Sequence, residues 1–466
     1  MKLNKEQYRA AVHLGGPMLV LAGPGSGKTH LLVERIRMMI EDSHVDPNHI
    51  LVITFSRKAA RQMQARFERL VQNRSYPVTF GTFHAVFFHI LQEHYRDSYN
   101  LMTEEDQRRL IEDLRYSVDP FDDDTVTEDI IGLISAYKNL HEDMFSRNTL
   151  AKNMTEYERE EFKRFFDAYV NLCDKERLID FDDMISKCRK LLYEHESVLR
   201  KWQRTYRYFL VDEFQDINDG QYDILRLLAG DDMNVFAVGD DDQSIYAFRG
   251  SRPELMKKFL RQYRGCKQVN LRLNYRCATS IIGAADTLIR NNPDRIERPM
   301  QRSLPSGPDG EVYVAQLEST KVQAVYVCDL IEQLLECHGY RLCEIAIIYR
   351  SDHCVRMFAK EARMRGILND PGNRPAILTA HASKGLEYRC VIVISLQEGL
   401  FPHYKSLKGD AVFEERRLMY VAMTRAKERL YLCSVGTTHG KHASRFVTEA
   451  AHDKKYIADV IRVIRI

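Results

Sequence analysis

Short apolar runs of strand length alternate with helical patterns at the start of the chain: MLVLA (18–22), ILVITF (50–55) and VTFGTF (78–83). From about 84 to 204 the period changes. ILQEHY, EEDQRRLIEDL, DIIGLISAYKNL and EREEFKRFFDAYV carry apolar residues at spacings of three and four, which predicts helix after helix. An acidic turn, DPFDDDT (119–125), interrupts them. Strand runs return with YFLVDE (208–213) and NVFAVGD (234–240). The pattern predicts an α/β domain with a helical insertion, since surface loops tolerate insertions. A boundary follows near residue 275. NNPDRIERPMQRSLPSGPDG (291–310), rich in Pro, Gly and charge, reads as loop or linker. A second α/β unit is predicted beyond it. Its elements are EVYVAQL, a helix over 321–337, EIAIIY (344–349), AILTA (376–380), CVIVISL (390–396), a helix over about 413–426, and RLYLCSV (429–435).

The first chemistry sits between the first strand and the first long helix. AGPGSGKT, from Ala22 through Gly23, Pro24, Gly25, Ser26 and Gly27 to Lys28 and Thr29, is too glycine-rich for a helix interior. Strand, loop and helix in that order are the context of a phosphate-binding loop. Backbone N–H groups of residues 25–29 can point at phosphate oxygens, Lys28 can reach the β- and γ-phosphates, and Thr29 can hold Mg²⁺. In FLVDEFQD (209–216), an apolar strand delivers Asp212 and Glu213 at its carboxyl end, where ligands of α/β sheets bind. Asp212 suits Mg²⁺ through water, and Glu213 suits polarisation of an attacking water. VGDDDQSIYAFRG (238–250) adds Gln243, whose amide both donates and accepts and so can report on a γ-phosphate or its attacking water. Tyr246 and Phe248 are rings beside that loop, and Arg249 is a cation. Stacking platforms for bases and ordinary core packing are equally open readings of the rings.

Composition narrows the class more than the mechanism. At 466 residues the chain is too long for one ordinary core, so two to four domains are expected. Its net charge is only +2, from 68 basic and 66 acidic residues, so any nucleic-acid surface must be local. Ten cysteines without a CxxC pair read as reduced core thiols, not a zinc or iron–sulfur site. The start, MKLNKEQYRAAV, lacks the apolar core of a signal peptide, and no apolar run approaches a membrane-spanning length. A soluble, cytoplasmic protein without a membrane partner is expected.

Nine ordered blocks resemble the UvrD/Rep/PcrA family of superfamily 1 DNA helicases. They are LNKEQ (3–7), AGPGSGKT (22–29), ITFSRKAARQM (53–63), TFGTFHA (79–85), VDEFQD (211–216), VGDDDQSIYAFRG (238–250), LRLNYR (271–276), TAHASKGLEY (379–388) and EERRLMYVAMTRAK (414–427). The resemblance implies two RecA-like P-loop domains with a helical insertion in the first. The first domain would comprise 1–88 and 205–276, its insertion 89–204, and the second domain 277–466. ATP and Mg²⁺ are the implied cofactors, with ATP in a cleft between the domains. Gln7 is similar to the glutamine that reads adenine, Arg276 and Arg425 match phosphate-binding arginines, and Glu387 matches a glutamate near the ribose. Thr54, Ser56, Arg57, Lys58, Gly81, Thr82, His84, Tyr246, Phe248, Arg249, Arg350, His381, Ser383 and Lys384 fall in or beside blocks that contact single-stranded DNA. The implied activity is ATP-driven 3′–5′ movement on single-stranded DNA and at single-strand/duplex junctions, with a DNA-repair or replication protein as a possible partner.

This sequence departs from the longer family members in one large respect. Arg350 and Thr379 are only 29 positions apart, with room for one helix over 358–365 and a turn where a large helical domain is otherwise inserted. Arg57 stands at a position commonly asparagine, and Phe248 where some members have tryptophan. No nuclease domain is seen before Ile466, which argues against a complete recombination nuclease subunit. Competing expectations are a translocase that displaces proteins with little unwinding, an inactive DNA-binding or assembly module, and a generic P-loop ATPase.

Overall fold

The computed structural model of the chain describes residues 2–72, 74–95, 99–117, 126–140, 144–147, 151–247, 250–293, 295–296, 301–302, 310–436 and 442–463. Sixteen strands are described. In chain order they are β1 (Met18–Ala22), β2 (Ile50–Thr54), β3 (Thr79–Thr82), β4 (Asn100–Leu101), β5 (Leu178–Ile179), β6 (Tyr208–Val211), β7 (Val235–Gly239) and β8 (Lys267–Leu271). They continue with β9 (Leu273–Asn274), β10 (Gln301–Arg302), β11 (Glu311–Leu317), β12 (Ile345–Tyr349), β13 (Ala376–Thr379), β14 (Tyr388–Val393), β15 (Ala426–Val435) and β16 (Asp459–Val463). Two six-stranded sheets result, ordered β3-β2-β6-β7-β1-β8 and β13-β12-β14-β15-β11-β16. The pairings of β2 with β3 and β6, and of β6 with β7, are parallel, as are all five within the second sheet. Continuous apolar runs explain this. β1, β2, β7 and β12 are buried at every position, the property of parallel strands covered on both faces.

Two six-stranded-sheet members lay outside the predicted pattern. β8 (KQVNL) and β16 (DVIRV) carry polar residues and lack an apolar run, and each lies at the edge of its sheet. An edge strand can carry polar and charged residues on its open side, and in these two they break the apolar pattern. Helix ends also shifted by a few residues: Thr320–His338, Arg356–Met364 and Asp410–Met423.

The chain forms two compact units. One comprises Met1–Val20, Thr29–Gly239 and Tyr246–Val269; the other comprises Leu21–Lys28, Asp240–Ile245 and Asn270–Ile466. The loops after β1 and β7 thus belong to a different unit from most of the sheet that delivers them. Within the first unit, helices Glu104–Ser117, Thr127–Leu140 and Glu156–Lys175 enclose a core of Met102, Ile111, Ile130, Ile134, Phe165, Tyr169 and Cys173. Reciprocal caps, Thr155 with Glu158 and Asp180 with Asp183, start Glu156–Lys175 and Phe181–Glu194. The acidic turn 119–125 lies outside the described residues, as does most of the 291–310 segment.

Lys138 is buried in this helical body between Asp180 (2.6 Å) and Asp183 (2.7 Å). Neighbouring Asp182 makes no ion pair among the described residues; Asn139 Nδ2 donates to it at 2.8 Å. Burial, then the charge of Asp180, pushes the Asp182 carboxyl up to about 6. Its unfolded value is near 3.9, so between about pH 4 and 6 the folded state holds the proton more tightly, and stability falls as pH rises through that window. Asp182→Asn keeps an acceptor for Asn139 and removes the penalty. We expect it to stabilise the chain by about 2 kcal/mol at pH 8 and by progressively less towards pH 4.5. Urea unfolding at several pH values checks this, and a gain that grows on acidification would contradict it.

Seven of the ten cysteines are buried, Cys266 is half-buried, and Cys337 and Cys343 are exposed. None forms a disulfide, and no group of three His, Cys, Asp or Glu among the described residues could hold a metal ion. No described helix is long and apolar enough to cross a membrane.

Candidate nucleotide and nucleic-acid sites

The glycine loop is shaped by its own chain and by the segment around β9. Gly25 and Gly27 have φ of +68° and +81°, the left-handed region that favours glycine. Ser26 Oγ donates to Gly23 O at 2.8 Å, closing the turn from inside. Asn274 Nδ2 donates to Pro24 O at 2.7 Å, and Tyr275 N donates to Gly25 O at 2.8 Å. A Cβ on Gly25 would lie 2.6 Å from both Arg276 Cβ and Asn274 Oδ1, so this glycine is required by conformation and by crowding. The strap holds the carbonyls of Pro24 and Gly25 and so fixes the path of the loop backbone. Helix Lys28–Glu41 starts at the loop's end with no acidic residue in its first turn, which suits an anion there.

Arg276, Glu387, Arg425 and Gln243 all belong to the same compact unit as this loop. Arg276 Nε donates to Glu387 Oε2 at 2.7 Å, and Lys427 Nζ lies 2.7 Å from Glu387 Oε1. Burial raises the Glu387 carboxyl, but Lys427 and Arg276 outweigh it and hold the group below its ordinary value. Arg425 is turned inwards. It is 2% exposed, with Nε on Val421 O (2.8 Å), Nη1 on Leu386 O (3.2 Å) and Nη2 on Thr424 Oγ1 (3.1 Å). In this conformation its guanidinium closes the end of helix Asp410–Met423 and does not project as a finger. Gln243 is buried in the turn Asp241–Gln243, its side-chain Nε2 donating to Asp240 Oδ2 and its backbone carbonyl accepting from Lys384 Nζ at 2.8 Å.

Within the first unit, Asp212 and Glu213 follow β6, and Asp212 N bonds Ile53 O at 2.9 Å. Glu213 has φ +52°, a conformation costly for a residue with a Cβ and concentrated at functional sites. Gln215 Nε2 hydrogen-bonds its carboxylate. Gln7 is 2% exposed on helix Lys5–Ala11, where its Oε1 accepts from Asn4 N at 3.0 Å in a capping box. It is thus a cap residue, and a buried one. Arg35, unforeseen from sequence, ends that helix: its Nη1 donates to the carbonyls of Ala10, Ala11 and His13.

The residues matched to DNA-contacting blocks divide between the units. In the first, Phe55 and Tyr246 stack at 4.7 Å with 12° between planes, and Phe55 is 40% exposed. Beside them a cavity of about 180 Å³ is lined by Phe55, Ser56, Arg57, Thr82, His84 and Phe181, among others. Ser56 caps helix Arg57–Leu70, Thr54 Oγ1 donates to Ser56 O, and Thr82 Oγ1 accepts from Ala85 N. Arg57 and Lys58 are exposed, and Gly81 lies on β3. His84 meets Phe181 edge-on at 5.3 Å. Phe55 and Phe181 escaped the sequence reading; the only signal was an aromatic placed one residue before a capping Ser or after a capping Asp. Phe248 and Arg249 lie outside the described residues.

In the second unit, His381, Ser383 and Lys384 occupy a tight turn after β13. Ser383 is fully buried and donates to Ala380 O at 2.6 Å, so its hydroxyl shapes the turn. Arg350 is held by Glu415 through Nε (2.9 and 3.1 Å) and Nη2 (2.7 Å), so its fork is occupied within the protein. Between β12 and β13 stand a single short turn, helix Arg356–Met364 and a loop.

Comparison with known proteins agrees with these blocks. The family model for the UvrD/REP helicase N-terminal domain matches residues 3–264, and that for the UvrD-like helicase C-terminal domain matches 367–436. The chain is 32% identical over 369 residues to ATP-dependent DNA helicase Rep of Escherichia coli, covering 77% of this chain and 54% of that protein. Against ATP-dependent DNA helicase PcrA of Leuconostoc citreum it is 33% identical over 363 residues, 75% of this chain and 47% of that one. A protein described as a probable DNA helicase in Mycoplasma pneumoniae is 30% identical over 446 residues, 93% of this chain and 83% of its own length. The chain spans about half the length of its Rep and PcrA relatives.

Proposed function

Since the chain belongs to the UvrD/Rep helicase family, we propose that it is a DNA-dependent ATPase that moves 3′ to 5′ along single-stranded DNA. The observation that carries the reading is the strapped glycine loop sharing one compact unit with Gln243, Arg276 and Lys384. In the proposed cycle, N–H groups of residues 25–29 and Lys28 hold the phosphates, and Gln7 reads the adenine edge. Mg²⁺, held by Thr29 and by Asp212 through water, would neutralise phosphate charge. The donor set fits a hard cation, since both residues offer oxygen ligands. Glu213 takes up a proton from the attacking water, and Arg276 stabilises charge on the transferring group. Arg425 joins it only by leaving its buried carbonyls. The chain would be organised as two RecA-like domains, 1–88 with 205–276 and then 277–466, the helical insertion being 89–204.

DNA bases would stack on the Phe55–Tyr246 pair while Arg57, Lys58 and His381 meet phosphates. Single-stranded DNA should raise ATP turnover by roughly tenfold or more, because residues matched to DNA contact alternate along the chain with those matched to phosphate contact, so bound DNA favours the hydrolysing arrangement. Affinity should fall with salt as counterions are released. Steady-state hydrolysis with and without saturating oligonucleotide, repeated across a salt series, tests both. Equal turnover in the two arms would refute the motor reading and leave a generic P-loop ATPase. A second reading, a translocase that strips proteins from single strands with little unwinding, is favoured by the single helix between β12 and β13.

A further inference from the structure

The segment 291–310 reads as a linker, yet two of its residues reach back 53 and 55 positions to the turn that carries Gln243. Arg295 grips Asp242 with both edges of its fork, Nε to Oδ1 at 3.2 Å and Nη2 to Oδ2 at 2.7 Å. The next residue, Ile296, donates its N–H to Asp241 Oδ2 at 2.8 Å. Both aspartates are buried, Asp242 to 1% exposure. Asp241, Asp242 and Gln243 form one helical turn capped by Asp240, whose Oδ1 accepts from Asp242 N at 3.1 Å and whose Oδ2 accepts from the Gln243 amide. A single turn has little internal freedom, so anchoring its first two residues fixes the third. Arg295 also stands 3.8 Å from Asp286, on helix Thr279–Ile289, which ties the grip to regular structure.

We propose that Arg295 is a positioning residue for Gln243: its two-point hold on Asp242 sets the turn in register, so that Gln243 responds to the γ-phosphate only while the grip is intact. The proposal rests on the ATPase reading of this site. A pair held only for stability is a poor explanation, because a buried ion pair is often no more stabilising than an apolar replacement. What the fork adds is direction, since a bidentate pair fixes orientation as well as distance.

The test compares Arg295→Ala, Arg295→Lys, Gln243→Ala and the Arg295→Ala/Gln243→Ala double variant with the wild-type chain. We expect Arg295→Ala to lower DNA-stimulated kcat about tenfold with KM for ATP nearly unchanged. In the Gln243→Ala background it should cost nothing further, because it acts through that amide. Arg295→Lys, with charge but no fork, should recover part of the loss and guards against simple misfolding. Amide hydrogen exchange on the nucleotide-free proteins gives a readout independent of catalysis. Residues 241–245 should exchange faster in Arg295→Ala while β2 and helix Arg57–Leu70 do not change. Losses that multiply in the double variant, or unaltered exchange at 241–245, would overturn the proposal. A wild-type chain that does not hydrolyse ATP would instead remove the ATPase reading, and the exchange result alone would then decide whether the grip orders the turn.

Discussion

Lys28→Ala is expected to lower ATP turnover by about 10³-fold while leaving the thermal midpoint unchanged, whereas Arg425→Ala loses turnover and stability together. The difference follows from where the two side chains stand. Lys28 opens a helix at the mouth of the glycine loop, and its truncation removes a charge from the phosphates without emptying a core position. Arg425 is 2% exposed and its guanidinium satisfies Val421 O, Leu386 O and Thr424 Oγ1. Truncating it strands buried acceptors, at about 1–3 kcal/mol. The same geometry says what the arginine must do if it is catalytic: exchange three internal hydrogen bonds for a phosphoryl oxygen. Nucleotide affinity of Arg425→Ala should therefore change little, because the exchange is favourable only where transition-state charge develops. Measuring nucleotide affinity, turnover and melting for both variants decides the matter. Near-normal turnover of Arg425→Ala would leave it a structural residue and pass the phosphate role to Arg276 alone.

The second large effect concerns duplex DNA. We expect the chain to translocate on single strands but to open long duplexes at least tenfold less efficiently than short ones, unless a partner is added. Each base-pair step costs roughly 1.4 kcal/mol of stacking, so a motor with few duplex contacts depends on fraying at the fork. One short turn, helix Arg356–Met364 and one loop are all that joins β12 to β13. Arg350, the cation at the start of that stretch, is engaged with Glu415. Single-turnover unwinding of short and long 3′-tailed duplexes, set beside protein displacement from single strands, checks the prediction. Efficient opening of the long duplex by the chain alone would mean that the short connection removes a restraint and not a capacity.

What could be read in advance was whatever the chain encodes locally. The glycine loop, the acidic pair after β6 and the apolar central strands each occupy a few consecutive residues, so pattern and chemistry coincide in one window. β8 and β16 were illegible because polar residues interrupt them, as an edge position allows, whereas the edge strand β13 keeps its apolar run. Arg295 was illegible for another reason. Its partner lies 53 positions away, and a charged residue beside Pro and Asn in a polar stretch has every local mark of a linker. The inward turn of Arg425 was hidden too, since a motif specifies a residue type but not a rotamer. Phe55 reads as the end of a strand; only its stacking on Tyr246 and its exposure distinguish it from core.

The uneven burial of the thiols makes the protein its own instrument. Cys337 closes helix Thr320–His338 and Cys343 sits in the short turn before β12, so the two exposed sulfurs share one end of one unit. Seven others are buried, and in half-buried Cys266 the partial burial pushes the thiol up to about 11, where little reactive thiolate exists at neutral pH. A maleimide dye added to the unmodified chain will therefore mark the second unit selectively. A single engineered cysteine on the first unit would then suffice for a distance measurement during ATP turnover, with no need to strip the native thiols from the core.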